Sequence, residues 1–246
     1  MHPTTLIHGI RRLYTLNPRR ENLGEMEHAS ILVQGDRVLW IGPAAEAPEA
    51  DSIIEAYGLI GLPGLVDPHT HAVWAGSRAN EFSRRLAGEN YADILEAGGG
   101  ILSTVEATRK ASPHALRCAV TDRLSHIQKR GVTTVEVKSG YGLNPQAEYR
   151  MLDAVDPMYQ GPRVIRTFLG AHTIPKEYRS NRDAYVREII EEQLPLCAPI
   201  CDFVDVYCDR GAFTLDESIA ILEAGKAHGL KLRAHAEQVE HTGIAK

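Results

Sequence analysis

The sequence predicts an α/β protein in which a small β-sheet domain is followed by a partial, parallel (β/α)8-type barrel. β-type runs separated by turn signals fill the chain up to residue 60, and strand-then-helix units repeat after it. Polar residues also follow each strand of the second part, at the ends that converge on one face of a barrel. We therefore expect the N-terminal part of a small β-domain at 1–60 and the N-terminal part of a barrel at 61–246.

The first 60 residues contain short runs of aliphatic and β-branched residues. Turn signals separate them, such as Gln34-Gly35-Asp36 before the third run. The runs cover residues 6–7, 30–33, 37–41 and 53–54. Short runs between turn residues are typical of a small sheet.

The second part alternates between strands and helices. Ser112-Pro113 predicts a helix start, with serine as the cap and proline in the first turn, and this helix runs to about Arg130. Further helices are predicted from Asn144-Pro145, over 183–194, and from the capping box at 214–217 to near Gly229. Strands are predicted before His69 and at 132–137, 163–169, 203–207 and 230–234. Repeated units of this kind imply five parallel strands with helical crossovers.

Composition excludes several classes of function. The 246 residues are 43% hydrophobic with a formal net charge of -5, which gives no reason to expect nucleic acid or an anionic membrane as a partner. No signal peptide pattern and no stretch apolar enough to span a bilayer is recognised. The four cysteines fit a reduced compartment better than a disulfide framework. We expect a cytoplasmic protein that acts on a small molecule.

Histidines follow three of the predicted strands. His69 and His71 have His-x-His spacing, so on an extended segment both project from the same side. Neutral imidazole is a common ligand of zinc and also suits iron. The other strand ends read Lys138-Ser139-Gly140-Tyr141, Gly170-Ala171-His172, Cys208-Asp209 and His235-Ala236-Glu237-Gln238. A doubly wound sheet also binds ligands at its strand ends, but it gives no reason for this histidine pattern, and no glycine-rich phosphate fingerprint follows the first strand.

The segment Gly64-Leu65-Val66-Asp67-Pro68-His69-Thr70-His71 resembles the signature of the amidohydrolase superfamily. Further segments resemble the imidazolonepropionase family specifically. They are Trp74-Ala75-Gly76-Ser77-Arg78, Ala97-Gly98-Gly99-Gly100-Ile101, Glu136-Val137-Lys138-Ser139-Gly140-Tyr141-Gly142-Leu143, Phe168-Leu169-Gly170-Ala171-His172 and His235-Ala236-Glu237-Gln238. The resemblance implies a metal-dependent hydrolase barrel. It also implies opening of the ring of 4-imidazolone-5-propanoate to N-formimidoyl-L-glutamate, a step of histidine degradation.

The resemblance also implies roles for individual residues. The metal, one zinc or iron ion, is expected on His69, His71 and His235. The substrate is expected to contact residues that offer a fork-shaped cation, a phenol, an imidazole and an amide, namely Arg78, Tyr141, His172 and Gln238. The candidates for acid–base catalysis are His172 and Glu237, and Glu237 is equally well interpreted as an ion-pair partner.

Two alternatives stay open at this stage. One alternative to imidazolone hydrolysis is that the protein is another cyclic-amide hydrolase or deaminase of the same superfamily. The other is that it is an inactive metal-binding fragment. Many two-metal cyclic amidases use a carboxylated lysine at the end of the fourth strand, where this chain has Tyr207-Cys208-Asp209. This difference favours a single metal ion.

The chain also differs from the family pattern in length. It ends at Lys246, soon after the fifth predicted strand, whereas a closed barrel takes about 250 residues by itself. The family's later histidine and its strand-end aspartate have no counterpart in the sequence. We therefore expect a truncated chain that is inactive on its own. Separately, we expect the full-length protein to be a homodimer.

Overall fold

The computed structural model describes residues 2–90, 99–156 and 159–245. Ala97 and Gly98 of the glycine-rich segment quoted above lie outside the described residues. The chain divides into two compact units, Met1–Gly64 and Leu65–Lys246.

The first unit is a five-stranded sheet. Its strands are β1 (Thr4–Tyr14), β2 (Glu25–Gln34), β3 (Arg37–Pro43), β4 (Ser52–Glu55) and β5 (Ile60–Gly61). The strand order is β3-β2-β1-β4. The strands β4 and β5 both pair with β1, β4 along its N-terminal part and β5 near its C-terminal end. Gly35, in the turn between β2 and β3, has a φ of 56°, a conformation that glycine adopts without strain. A small apolar core around Ile10, Leu13, Ala29 and Ala56 supports this sheet.

The second unit is built on a five-stranded parallel sheet. Its strands are β6 (Leu65–Thr70), β7 (Val132–Lys138), β8 (Arg163–Ala171), β9 (Phe203–Cys208) and β10 (Lys231–Ala236). They pair in chain order and all run parallel, so each strand lies beside its predecessor. The predicted fold class, an α/β protein with a partial barrel, is confirmed. All five carboxyl ends therefore reach the same end of the sheet.

Helices connect these strands. Among the described residues they are α1 (Ala79–Leu86), α2 (Ile101–Lys110), α3 (Pro113–Gln128), α4 (Pro145–Asp153), α5 (Arg182–Glu188), α6 (Leu194–Cys197) and α7 (Leu215–Ala227). The three predicted caps are present, because the side chains of Ser112, Asn144 and Thr214 accept hydrogen bonds from backbone N–H groups of the first turn. The sequence reasoning did not identify α1 and α2.

The helix expected at 183–194 is interrupted. A π-helical turn, Ile189–Gln193, separates α5 from α6, and Pro195 lies in the first turn of α6. Proline carries no N–H for the helical ladder, so a wider turn before it is physically reasonable.

The main core lies between β8, β9 and the helices that cover them. Phe168, Val204, Leu194 and Ile221 are buried there without measurable exposure. In the described part of the chain, no helix has the length and apolar character needed to cross a membrane.

Candidate active site

The parallel sheet brings four histidines together. His69 lies in β6 and His71 directly after it, His172 follows β8, and His235 lies in β10. The Nε2 atoms of His69 and His235 are 3.2 Å apart, although 166 residues separate them in the chain. The ring of His71 stacks on that of His172, with centroids 4.8 Å apart and planes inclined by 9°. His69 and His71 are themselves neighbours, with ring centroids 5.8 Å apart.

The spacing of His69 and His235 fits a shared metal ion. Two nitrogens bound to one tetrahedral zinc at about 2.0–2.1 Å lie about 3.3–3.4 Å from each other, close to the observed 3.2 Å. The Nδ1 atom of His71 is buried and has no hydrogen-bond partner in the described structure, so this third imidazole is also available. Within residues 2–90, 99–156 and 159–245, however, no three His, Cys, Asp or Glu side chains already form a metal-binding group. Of the three expected ligands, His69 and His235 approach each other through their Nε2 atoms, whereas the ring of His71 stacks on that of His172.

Burial keeps the inner histidines neutral. It lowers the pKa of His71 to about 3, and the neighbouring His172 adds to this effect. Burial likewise lowers the pKa of His172 to about 4, although the hydrogen bond to Gly140 opposes the change. The pKa of His69 is lowered by burial and by His235. Neutral imidazole is the form that binds a metal ion, so these shifts are compatible with the expected ligands.

His172 is oriented by the backbone. Its Nδ1 atom lies 2.9 Å from the carbonyl oxygen of Gly140, which only accepts hydrogen bonds, so Nδ1 carries the proton. The Nε2 atom of this ring is therefore a proton acceptor at neutral pH.

A buried carboxylate shapes the loop that carries Tyr141. Glu148 accepts hydrogen bonds from the backbone N–H groups of Gly140, Gly142 and Leu143, at 2.7–3.2 Å. Gly140 has a φ of 103°, which a residue with a side chain rarely adopts. The loop holds the ring of Tyr141 4.9 Å from that of His71. Burial raises the pKa of the Tyr141 phenol, so it remains a proton donor.

Arg78 lies near Tyr141 at a separate opening. A cavity of about 300 Å³ is lined by Trp74, Arg78, Thr104 and Tyr141. The Nε atom of Arg78 is 2.8 Å from a carboxylate oxygen of Glu81, and 43% of the arginine side chain is exposed. The terminal nitrogens of the guanidinium therefore remain near solvent, where a carboxylate can approach.

Gln238 and Glu237 have different surroundings. Gln238 lines a cavity of about 510 Å³ together with His69 and His235. Asp209 holds this segment by accepting hydrogen bonds from the backbone N–H groups of residues 238–240. The side chain of Glu237 is instead engaged by the loop that follows, through His241, Thr242 and Gly243.

A charged network beneath the histidines was missed by sequence reasoning. Lys138 lies between Asp205 and Glu136, with its Nζ atom 2.7 Å and 2.9 Å from their carboxylate oxygens. Asp205 also contacts Nδ1 of His235 at 3.0 Å. Burial raises the pKa of Asp205, but the hydrogen bond to His235 and the charge of Lys138 outweigh it and lower the pKa overall. The sequence did contain a signal for this network. Buried parallel strands are normally continuous hydrophobic runs, so the charged residues Glu136, Lys138 and Asp205 inside such strands indicated buried ion pairs.

Curated relatives match this chain over nearly its whole length. The imidazolonepropionase of Caldanaerobacter subterraneus subsp. tengcongensis is 41% identical over an alignment of 253 positions, which covers 98% of this chain and 61% of the relative. The imidazolonepropionase of Caulobacter vibrioides is 44% identical over 236 residues, covering 94% of this chain and 59% of the relative. The chain is similar to imidazolonepropionases over nearly all of its residues. The resemblance found in its motifs is thereby confirmed, and the chain spans about three-fifths of the length of these relatives.

Solved structures agree on the fold. An ochratoxinase from A. niger superposes with a TM-score of 0.60 at 16% identity, covering 96% of this chain and 55% of the other. An atrazine chlorohydrolase variant from Arthrobacter aurescens, in complex with zinc and atraton, gives a TM-score of 0.60 at 18% identity over 96% of this chain and 53% of the other. No family model matches the chain.

The sheet thus brings together most of the residues that the sequence singled out. His69, His71, His172 and His235 form one cluster, with Gln238 beside it. Tyr141 links this cluster to the cavity of Arg78. The expected roles of these residues, and of Glu237, stay predictions.

Proposed function

We propose that this sequence supplies the metal-binding half of an enzyme that hydrolyses the cyclic amide of 4-imidazolone-5-propanoate to N-formimidoyl-L-glutamate, in histidine degradation. The observation that carries the proposal is the approach of His69 and His235 to 3.2 Å between Nε2 atoms, on strands of a chain that is similar to imidazolonepropionases. The chain covers about three-fifths of those relatives, so the proposal concerns a protein that carries this sequence at their length.

The metal in this proposal is one zinc or iron ion held by His69, His71 and His235. The zinc complex of a structural neighbour supports the choice of zinc. When bound, such an ion supplies Lewis acidity toward the ring carbonyl and lowers the pKa of water.

Substrate binding is assigned to the residues around Tyr141. The guanidinium of Arg78 would pair with the propionate carboxylate, because its planar fork matches two carboxylate oxygens. The cavity of about 300 Å³ that Arg78 shares with Tyr141 has room for a short carboxylate tail. Gln238 would recognise the ring, since an amide both donates and accepts hydrogen bonds.

Proton transfer is assigned to His172 in the first place. Its Nδ1 proton is donated to the carbonyl of Gly140, which leaves Nε2 to accept a proton beside His71. Glu237 remains a second candidate only if its carboxylate leaves the contacts with residues 241–243.

The remaining parts of the proposal concern the cell. The described cysteines are all free thiols, which supports a cytoplasmic enzyme. Its partner is the small-molecule substrate, and the full-length protein is proposed to be a homodimer.

The test measures metal content and turnover on the same preparation. The protein, at the length of its relatives, is expected to contain one equivalent of zinc or iron and to convert the imidazolone to N-formimidoyl-L-glutamate, detected by mass spectrometry. A variant with His69→Ala and His235→Ala is expected to lose both properties. Release of ammonia without ring opening would instead identify a deaminase, and full turnover in the double variant would overturn the proposed site.

A further inference from the structure

The charged network beneath the histidine cluster is buried and balanced. Glu136, Lys138 and Asp205 are each no more than 2% exposed. Arg233 extends the network, because its Nη1 atom lies 2.9 Å from an oxygen of Glu136. Two cations thus alternate with two carboxylates. Buried charges are costly unless they are paired, and removing one partner leaves the other uncompensated.

The network ends on His235, a ring that reaches the candidate metal site. Oδ2 of Asp205 lies 2.7 Å from the ammonium of Lys138 and 3.0 Å from Nδ1 of His235. An ionised carboxylate only accepts hydrogen bonds, so Nδ1 of His235 carries the proton. In the neutral ring the lone pair is then on Nε2, the atom that faces Nε2 of His69.

We propose that Asp205 is a positioning residue that fixes the tautomer and orientation of His235 for metal binding, and that Lys138 and Glu136 hold Asp205 in place. This inference rests on the metal site of the proposed function. Outer partners that orient a histidine ligand commonly change metal affinity by about 10–100-fold.

A purely structural role would give a different result. If the network only filled space, apolar residues of similar size would replace it with little loss, since buried ion pairs are often no more stabilising than such residues. The tautomer of His235 would then be independent of Asp205. Tautomer and metal affinity therefore distinguish positioning from packing.

The experiment compares the parent chain with Asp205→Asn. In the metal-free, 15N-labelled protein, long-range 1H–15N spectra are expected to show His235 protonated at Nδ1 in the parent and a mixture of tautomers in the variant. Affinity for zinc alone, measured by competition with a chelator, is expected to fall about 10–100-fold. Glu217→Gln is the control, because it alters a largely buried carboxylate that pairs with Arg182 instead of His235, and it is expected to leave the His235 tautomer and the zinc affinity unchanged.

A charge-balanced variant keeps the test decisive if Asp205→Asn does not fold. Asp205→Leu combined with Lys138→Met removes one charge of each sign and leaves Glu136 paired with Arg233. It is expected to be folded by circular dichroism, with mixed His235 tautomers and weakened zinc binding. Retention of the Nδ1-protonated tautomer and of zinc affinity within about twofold would overturn the inference.

These measurements are independent of substrate. Normal zinc binding that depends on Asp205, without ring hydrolysis, would refute the proposed function and leave the positioning role intact. Ring hydrolysis by a protein whose zinc affinity is unchanged by Asp205→Asn would refute the positioning role and leave the proposed function intact.

Discussion

Replacing Glu148 tests how the loop of Tyr141 is held. The carboxylate accepts from three backbone N–H groups, those of Gly140, Gly142 and Leu143, at a fully buried position. A buried hydrogen-bond donor left without a partner costs about 1–3 kcal/mol. Glu148→Gln keeps one carbonyl oxygen for the N–H groups of Gly142 and Leu143 and turns an NH2 group toward the N–H of Gly140. We therefore expect the free energy of unfolding to fall by about 2–3 kcal/mol. Glu148→Ala leaves all three donors unpaired and is expected to cost about 4–5 kcal/mol.

The assay is urea unfolding followed by tryptophan fluorescence. The chain has two tryptophans, Trp40 in the first unit and Trp74 in the second, so a Trp40→Phe background makes Trp74 report on the second unit alone. The control is Glu191→Gln, which changes an exposed carboxylate on the helical segment after β8. A change of less than about 0.5 kcal/mol for Glu148→Gln would refute the reasoning, since that is the range of ordinary surface substitutions.

The pH dependence gives an independent check on Glu148. Burial raises its pKa above the usual 4.5, and the hydrogen bonds from Ser139 and from the backbone N–H groups of residues 140, 142 and 143 offset this only in part. Between the usual and the raised pKa the folded chain holds a proton that the unfolded chain has released, so stability falls as pH rises through this interval. The stability contribution of the protonated carboxyl group is therefore complete below about pH 4.5 and lost as pH rises through the folded pKa. Stability measured relative to Glu148→Gln should decline with pH in this window, and a rise would contradict the assigned direction.

Three further predictions concern the site and the core. Replacing His69 and His71 by Ala should abolish stoichiometric zinc, measured by elemental analysis of dialysed protein, and a full equivalent retained would exclude them as ligands. Arg78→Met should weaken binding of 3-(imidazol-4-yl)propionate about tenfold, measured by calorimetric titration. The effect is modest because 43% of the arginine side chain is exposed. Unchanged affinity would show that Arg78 is not part of the site. Tyr185→Phe should cost about 1 kcal/mol in urea unfolding, because its buried hydroxyl donates to a backbone carbonyl at 2.8 Å. The control Tyr57→Phe, at a residue that is 63% exposed, should cost less, and equal losses would contradict this account.

Local patterns were sufficient for the elements whose signals lie within a few residues. Ser112, Asn144 and Thr214 precede helices because a side-chain oxygen accepts from an N–H only two or three residues ahead. The parallel order of the five strands follows from the repeated strand–helix unit. The helices α1 and α2 lack such local caps, since neither has a side-chain hydrogen bond at its N-cap, and they were missed.

The sequence by itself determined which residues stand at the strand ends, because side-chain alternation and strand direction are local properties. It did not determine which of them meet. His69 and His235 are 166 residues apart, and Lys138 and Asp205 are 67 apart, so only the pairing of the strands brings them to 3.2 Å and 2.7 Å. Tertiary structure likewise decided that Glu237 turns to residues 241–243 while Gln238 lines the cavity. Burial and charge depend on every neighbour in space, and a linear pattern does not contain that information.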